Sequence, residues 1–160
     1  MTEFQVWRAI VDWAEDRGGT IYAACPPGSS VYDYPKFCLI DPETQKRDEP
    51  DILFTLDGIL YFVECKPTLT GSMRRSRKGL SDESDMEKLR RIKAVYDKGN
   101  FHRQLLENYG VDPSSCRMEI AIGYGYSPCQ PDVPFTDIIR FEVHDDLSIR
   151  IVGSGSTPQL

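Results

Sequence analysis

A hairpin signal in the first half of the chain fixes which charged side chains must meet. Asp57-Gly58 separates two apolar runs rich in β-forming residues, and such a pair is typical of a two-residue type I′ loop. With that loop in place, Asp51 lies directly opposite Glu64. Paired residues hold their Cβ atoms about 5 Å apart on one face of a sheet, and Lys66, two residues further on, points to that same face. Two carboxylates and one ammonium are therefore predicted to converge.

This convergence predicts a site for a divalent cation. Like charges directly opposite each other destabilise a sheet, and a hard cation such as Mg²⁺ removes the conflict by taking oxygen ligands from both carboxylates. The neighbouring ammonium can then orient or activate a metal-bound water and stabilise charge on a phosphate. The alternative is an exposed strand end whose three charged residues form a weak surface cluster. The agreement of Pro50-Asp51, the hairpin register and the Glu64-x-Lys66 spacing favours the metal site.

Pro50-Asp51, followed by Glu64-Cys65-Lys66 at the end of the next strand, resembles the motif of the PD-(D/E)xK nucleases, which have the restriction-endonuclease-like fold. The resemblance implies that Asp51 and Glu64 bind one or two Mg²⁺ or Mn²⁺ ions and that Lys66 assists the water that attacks a phosphodiester. The main-chain carbonyl of Cys65 is implied as a further ligand. The expected activity is metal-dependent hydrolysis of nucleic acid, with DNA favoured over RNA and structure-selective endonuclease cleavage as one form of it.

The N-terminal segment predicts an amphipathic helix with Thr2 as its N-cap and Gly18 as its end. Its Glu-Phe-Gln start and Arg-Gly end resemble the VRR-Nuc branch, and the order of helix and hairpin is similar to that of archaeal Holliday-junction resolvases. Both branches place a metal-associated Glu on this helix, so the resemblance implies Glu3, with Glu15 as a weaker choice. Glu3 is equally explained as a first-turn carboxylate that complements the helix dipole, and both interpretations stay open.

The charge of the chain is unevenly distributed. The net charge is −6, yet residues 66–103 carry eleven cations and five anions. A Gly-bounded loop at 71–79 is too charged to pack as core, and its cations are suited to sequence-independent, salt-sensitive contacts with phosphates. A solvated mobile loop is the alternative. The predicted nucleic-acid-binding residues are Arg74, Arg75, Arg77, Lys78 and Arg103.

Two other classes of function stay open. The chain can be a catalytically silent nuclease-fold module that binds nucleic acid or scaffolds a nucleoprotein assembly. Alternatively, the basic segment contacts an acidic protein while the carboxylates bind a structural ion. Steep weakening of binding with added salt is expected only for phosphate contacts. A homodimer or a partner subunit stays open, and cleavage of a four-way junction would favour a two-fold dimer because two symmetric cuts need two sites.

The predicted fold class is α/β, with a restriction-endonuclease-like core in which helices flank a central mixed β-sheet. With 160 residues, of which 40% are hydrophobic, the chain is expected to form a single nuclease-like domain over 1–152 and a flexible tail over 153–160. Ser81 is predicted to cap a helix that ends near Gly99, and Asn100 a second helix that ends at Gly110. Strands are predicted over 118–123, 136–143 and 147–152, and 102–104 is a weaker substrate-facing candidate.

Other classes of protein are disfavoured by what the sequence lacks. It contains no apolar run of 18 residues and no signal peptide, so an intracellular, cytoplasmic protein without a membrane partner is expected. Five cysteines without a Cys-x-x-Cys pair, and only two histidines, argue against a disulfide framework and against a zinc site.

Overall fold

The computed structural model describes residues 1–26, 38–74, 83–133 and 135–153. Over these residues the chain forms four α-helices, one short 3₁₀-helix and eight strands. In chain order the elements are α1 (Glu3–Asp16), β1 (Thr20–Ala24), β2 (Leu39–Ile40), β3 (Arg47–Asp48), β4 (Ile52–Leu56), β5 (Ile59–Cys65), α2 (Leu69–Met73), α3 (Asp85–Asp97), α4 (His102–Tyr109), the 3₁₀-helix (Pro113–Ser115), β6 (Arg117–Gly125), β7 (Ile139–Val143) and β8 (Ile149–Val152).

Six of the strands form one mixed sheet in the order β1-β4-β5-β6-β7-β8. The pairs β5-β6 and β6-β7 are parallel, and the other neighbours are antiparallel. Strands β2 and β3 form a separate two-stranded ribbon. Helix α1 covers one face of the sheet and α3 the other. The predicted α/β class, with a central mixed sheet flanked by helices, is therefore confirmed.

The hairpin of β4 and β5 has the predicted register and turn. Ile52 pairs with Val63 and Leu56 with Ile59, so the two-residue loop lies where the sequence predicts it. The loop residues have φ angles of 52° and 78°, and positive φ at both positions is what a type I′ turn requires. The register prediction is confirmed.

Helix α1 begins and packs as predicted. The Thr2 hydroxyl accepts from the Gln5 amide at 3.1 Å, while the Gln5 side chain accepts from the Thr2 amide at 2.8 Å, which is a capping box. The helix ends at Asp16, and Gly18 then adopts a left-handed φ of 81°. Most of its apolar side chains are buried against the sheet, and Phe4 and Trp13 are half-buried beside them.

Close contact between α1 and the centre of the sheet depends on Gly123 in β6. A Cβ at this position would overlap Cδ1 of Ile10 and lie 3.5 Å from Cγ1 of Val6. The absence of a side chain therefore allows the first turns of α1, including Glu3, to lie close to the carboxyl end of the sheet.

The second helical layer differs from the prediction at its ends. Helix α3 starts at Asp85, where Ser84 forms the capping box with Glu87; the predicted cap, Ser81, lies outside the described residues. Asn100 does not cap α4, so that prediction was wrong. The N-cap is Phe101, and Nδ2 of the Asn100 side chain instead donates to Oδ1 of Asp41 at 3.2 Å.

The later strands shift by a few residues from their predicted ends. β6 continues two residues past the predicted end, to Gly125, while β7 starts at Ile139 and β8 at Ile149. The predicted tail lies outside the described residues except for Gly153. Every helix in the described ranges is too short or too polar to span a bilayer.

Candidate active site

At the open end of the β4-β5 hairpin, two carboxylates link the strands by hydrogen bonds. The Asp51 amide donates to Oε2 of Glu64 at 3.0 Å, and the Cys65 amide donates to Oδ2 of Asp51 at 2.7 Å. Each side chain thus binds the main chain of the opposite strand. The predicted approach of Asp51 and Glu64 is a direct consequence of the hairpin register.

The surroundings of Asp51 change its titration. Burial raises the pKa of Asp51 well above its usual value, and the charge of Glu64 and a side-chain hydrogen bond with it raise that pKa further. The Cys65 amide and Lys88 act in the opposite direction without reversing the shift. A hydrogen bond between two carboxyls requires a proton. The pair therefore resists carrying two negative charges.

Lys88 of α3 provides the main compensating charge. Its Nζ contacts Oε1 of Glu64 and lies 3.4 Å from the carbonyl oxygen of Glu49. The Glu64 side chain is only 5% exposed and that of Lys88 is 24% exposed. Burial acts to lower the pKa of Lys88, but the charge of Glu64 and the hydrogen bond with it raise that pKa above its usual value. Lys88 is therefore an ammonium that neutralises Glu64.

Lys66 follows the last residue of β5 and extends toward two further carboxylates. Its Nζ is 3.6 Å from Oε1 of Glu3 and 3.8 Å from Oδ2 of Asp85. Burial acts to lower the pKa of Lys66, but the charges of Asp85 and Glu3 outweigh it, and the pKa is raised. A proton-accepting role for Lys66 would require the opposite shift. The surroundings favour an electrostatic role.

Asp85 is part of this cluster, although the sequence analysis did not select it. Its Oδ2 is buried and accepts no hydrogen bond from a described residue. Burial, followed by the charge of Glu64, raises the pKa of Asp85 to about 7. One local signal points to this cluster: Asp85 and Lys88 directly precede Met86 and Leu89 of the buried stripe, at the edge of the face that packs on the sheet.

The cluster matches a divalent cation in donor chemistry. It contains the carboxylates of Asp51, Glu64, Asp85 and Glu3, and oxygen donors are what Mg²⁺ and Mn²⁺ prefer. The end of the hairpin where Asp51 and Glu64 meet is the place that a cation would take. With the side chains as they stand, no group of three His, Cys, Asp or Glu residues in the described ranges is arranged to hold an ion. A cation would therefore have to draw at least one further carboxylate toward the pair.

Cys65 contributes only its main chain. Its side chain is fully buried on the α1 face of the sheet, away from Glu64 and Lys66. Burial raises the pKa of this thiol well above its usual value, which disfavours the thiolate that would bind a metal. The main-chain carbonyl stays a predicted ligand.

The predicted phosphate-binding residues fall into three groups. Arg74 is exposed and forms no ion pair with a described residue. The residues Arg75, Arg77 and Lys78 lie outside the described residues. Arg103 is paired with Glu107 at 2.9 Å on an exposed helix face.

Most of the other cations in the basic segment have acidic partners. Arg91, for example, forms two hydrogen bonds of 2.7 Å with the buried Asp48. The other pairs are Arg90 with Asp137, Lys93 with Asp97 and Lys98 with Glu43. Within the described part of the chain, the excess of positive charge is thus largely neutralised.

Gln104, which the sequence analysis placed in the substrate-facing candidate 102–104, has a structural role. Its amide nitrogen donates to the Ile40 carbonyl at 2.6 Å, and its amide oxygen accepts from the Ile40 amide at 2.8 Å. The Tyr109 hydroxyl bonds the main chain of Cys38 in the same manner. Both residues attach β2 to α4.

Comparisons of this chain with protein-family models, with curated proteins and with solved structures give no match.

Proposed function

We propose that this chain is a divalent-metal-dependent nuclease that hydrolyses phosphodiester bonds, with DNA as its expected substrate and a restriction-endonuclease-like core. The observation that carries the proposal is the contact between Asp51 and Glu64. Two carboxyls that meet next to an ammonium, one of them buried, are costly for stability. Such an arrangement is understandable if a cation binds the two carboxyls during function.

The residues of the cluster have distinct proposed roles. Asp51 and Glu64 would hold the ion together with the Cys65 carbonyl, and Glu3 or Asp85 would supply a further oxygen. When bound, Mg²⁺ or Mn²⁺ lowers the pKa of a water molecule and stabilises negative charge on the phosphate. Lys66, as an ammonium, positions that water and donates to a phosphate oxygen. Its raised pKa supports this role rather than that of a general base.

A catalytically silent nucleic-acid-binding module is the second candidate. Its supporting observation is the bond between Lys88 and Glu64, because an ammonium already neutralises the carboxylate that a metal would need. In that case the cluster stabilises the fold and has no turnover.

Cleavage assays distinguish the two candidates. We would incubate the protein with supercoiled plasmid, flap, four-way junction, single-stranded DNA and RNA, in Mg²⁺, Mn²⁺ or EDTA. The test variants are Glu64→Gln and Lys66→Ala. The matched control is Glu119→Gln, which alters a carboxylate that is equally buried on β6 but near the opposite end of that strand.

The nuclease proposal predicts metal-dependent cleavage that both test variants lose and the control retains. Cleavage that survives in both test variants would remove the assignment. Inactivity of the wild-type protein on every substrate would favour the silent module.

A further inference from the structure

A stacked aromatic pair lies at the edge of the sheet where the candidate active site is found. The parallel strands β5, β6 and β7 all end at this edge, and Tyr126 and His144 directly follow β6 and β7. Their ring centroids are 4.4 Å apart with an angle of 21° between the planes. The Tyr126 residue remains 42% exposed. The pair therefore presents an aromatic surface to solvent.

Main-chain hydrogen bonds hold both aromatic residues in place. The Tyr126 amide donates to the Val143 carbonyl at 2.8 Å. The His144 amide donates to the Ser148 carbonyl at 2.9 Å, and the His144 carbonyl accepts from the Leu147 amide at 2.8 Å. A preorganised ring loses little conformational entropy when a ligand stacks on it.

A small cleft with both polar and apolar lining adjoins this pair. It has a volume of about 280 Å³, which is below the range of about 300–1,000 Å³ that is usual for a drug-sized ligand. A group of the size of a phosphate suits it better. Its polar lining and flanking positions include Thr68, Thr70, Arg74, Gly125, Ser127 and Gln130.

The donors of the cleft suit an anion. Arg74 supplies a positive charge. The Thr68 and Ser127 hydroxyls each accept a main-chain hydrogen bond, of 3.0 Å from Gly71 and 3.2 Å from Cys129, and neither donates to a described residue. Each hydroxyl proton can thus be donated to a phosphate oxygen.

Glu142 connects the cleft to the aromatic pair. This carboxylate is 3% exposed. Its Oε2 accepts from Gln130 at 2.7 Å, and its Oε1 lies 3.8 Å from Nε2 of His144. Gly125 and Ser127 of the cleft are also the chain neighbours of Tyr126. The cleft and the aromatic pair are therefore one continuous surface.

We propose that this surface binds an unpaired nucleotide, with the base stacked on Tyr126 and a phosphate in the cleft beside Arg74. The inference rests on the proposed nuclease function and deepens it, because it names nucleic acid with an unpaired segment next to the cut as the substrate class. Every base offers a π-face for stacking once it is unpaired, whereas in a duplex that face is covered by its neighbours. Lys66 lies two residues before Thr68 of the cleft, so a strand held here passes the candidate active site.

Binding measurements in EDTA test the inference without turnover. We would measure fluorescence anisotropy with matched single-stranded DNA, single-stranded RNA and blunt duplex DNA, and quenching of 2-aminopurine placed in the single strand. The variants are Tyr126→Ala and Tyr126→Phe, the second of which keeps the ring. The control is Ile151→Ala, which alters an exposed side chain on β8. Thermal melting checks that each variant folds.

The expected result is tighter binding of single strands than of duplex. Tyr126→Ala should weaken single-strand binding by about 5- to 150-fold, which corresponds to the ~1–3 kcal/mol of one base–aromatic stack. It should also abolish the quenching, while Tyr126→Phe and Ile151→Ala should retain both. The single strand that binds more tightly, DNA or RNA, identifies the nucleic acid that the protein recognises.

Equal affinity for single strands and duplex, an unaffected Tyr126→Ala variant, or no binding at all would overturn the inference. The two proposals fail separately. Cleavage that does not depend on Tyr126 would support the nuclease proposal and contradict the nucleotide-binding surface. Single-strand binding that depends on Tyr126 in a protein without cleavage would support the site and the silent module.

Discussion

Lys88→Met tests whether the ammonium of α3 holds the carboxyl cluster together. Methionine keeps the length and helix propensity of the lysine stem but removes the charge that bonds Glu64. The Glu64 carboxylate would then remain 5% exposed beside Asp51 and Asp85, with no cation of the described residues in contact.

The burial of the pair sets the size of the effect. Removing one partner from a buried ion pair costs about 3–5 kcal/mol. Because the Lys88 side chain is 24% exposed, we expect roughly 2–3 kcal/mol, or a decrease in Tm of about 4–12 °C for a chain of this length. The control is Lys93→Met on the same helix, which removes an i,i+4 pair with Asp97 and should cost less than about 1 kcal/mol.

Urea unfolding followed by circular dichroism, in EDTA and in Mg²⁺, measures both effects. A cation at about 100 times its Kd stabilises a protein by ~2.7 kcal/mol. Mg²⁺ should raise the free energy of unfolding of Lys88→Met more than that of the wild type, because the ammonium no longer competes for Glu64. The reasoning is refuted if Lys88→Met is as stable as Lys93→Met in EDTA, or if Mg²⁺ stabilises the wild type and Lys88→Met equally.

Three further predictions concern pH, salt and packing. Because burial raises the pKa of Asp85 to about 7, its folded carboxyl keeps a proton that the unfolded chain loses near pH 4. The free energy of unfolding in EDTA, measured with urea, should fall from about pH 4 to 7. The Asp85→Asn variant should show a flatter pH dependence. An equally steep dependence in the variant would contradict the raised pKa of Asp85. Arg74→Ala should reduce the salt slope of single-strand binding by about 0.7, measured by anisotropy, whereas Arg103→Ala should change it less; equal effects would exclude a special role for Arg74. Gly19→Ala would place a methyl group 2.8 and 2.9 Å from two main-chain carbonyl oxygens. The substitution should lower the free energy of unfolding by about 1–3 kcal/mol, which thermal melting would detect as a lower Tm. An unaltered Tm would show that the main chain moves to accept the methyl group without loss of stability.

The parts of the site that come from local sequence were predictable. Asp57-Gly58 sets the turn, the turn sets the register, and the register places Asp51 against Glu64. Each step involves neighbours in the chain. The cap of α1 at Thr2 is equally local, since its partner lies three residues away.

The contributions of α3 were not predictable in this way. Asp85 and Lys88 reach the site only because α3 packs across the sheet. Apart from their place at the edge of the buried stripe, they resemble an ordinary first-turn acid and a solvated cation in the sequence. At Asn100, a local signal gave a wrong prediction because a residue distant in the sequence overrides it. Its side chain has the chemistry of a cap, but Asp41, 59 residues away in the chain, accepts its hydrogen bond instead.

Counting charges along the chain also overstated the basic character of residues 66–103. The count treats each cation as free, whereas the fold pairs Arg90 and Arg91 with Asp137 and Asp48, which lie outside that segment. Only the three-dimensional arrangement shows that Arg74 is exposed and pairs with no acidic residue in the described ranges.

The crossed hydrogen bonds at the end of the hairpin give the site an internal spectroscopic reporter. The amide protons of Asp51 and Cys65 are bonded to carboxylates rather than to carbonyl groups, so their NMR chemical shifts and hydrogen-exchange rates depend on the charge of those carboxylates. Titrating the protein with acid or with Mg²⁺ should therefore move these two amide resonances before any change in the rest of the sheet. The state of the cluster can thus be followed without a substrate.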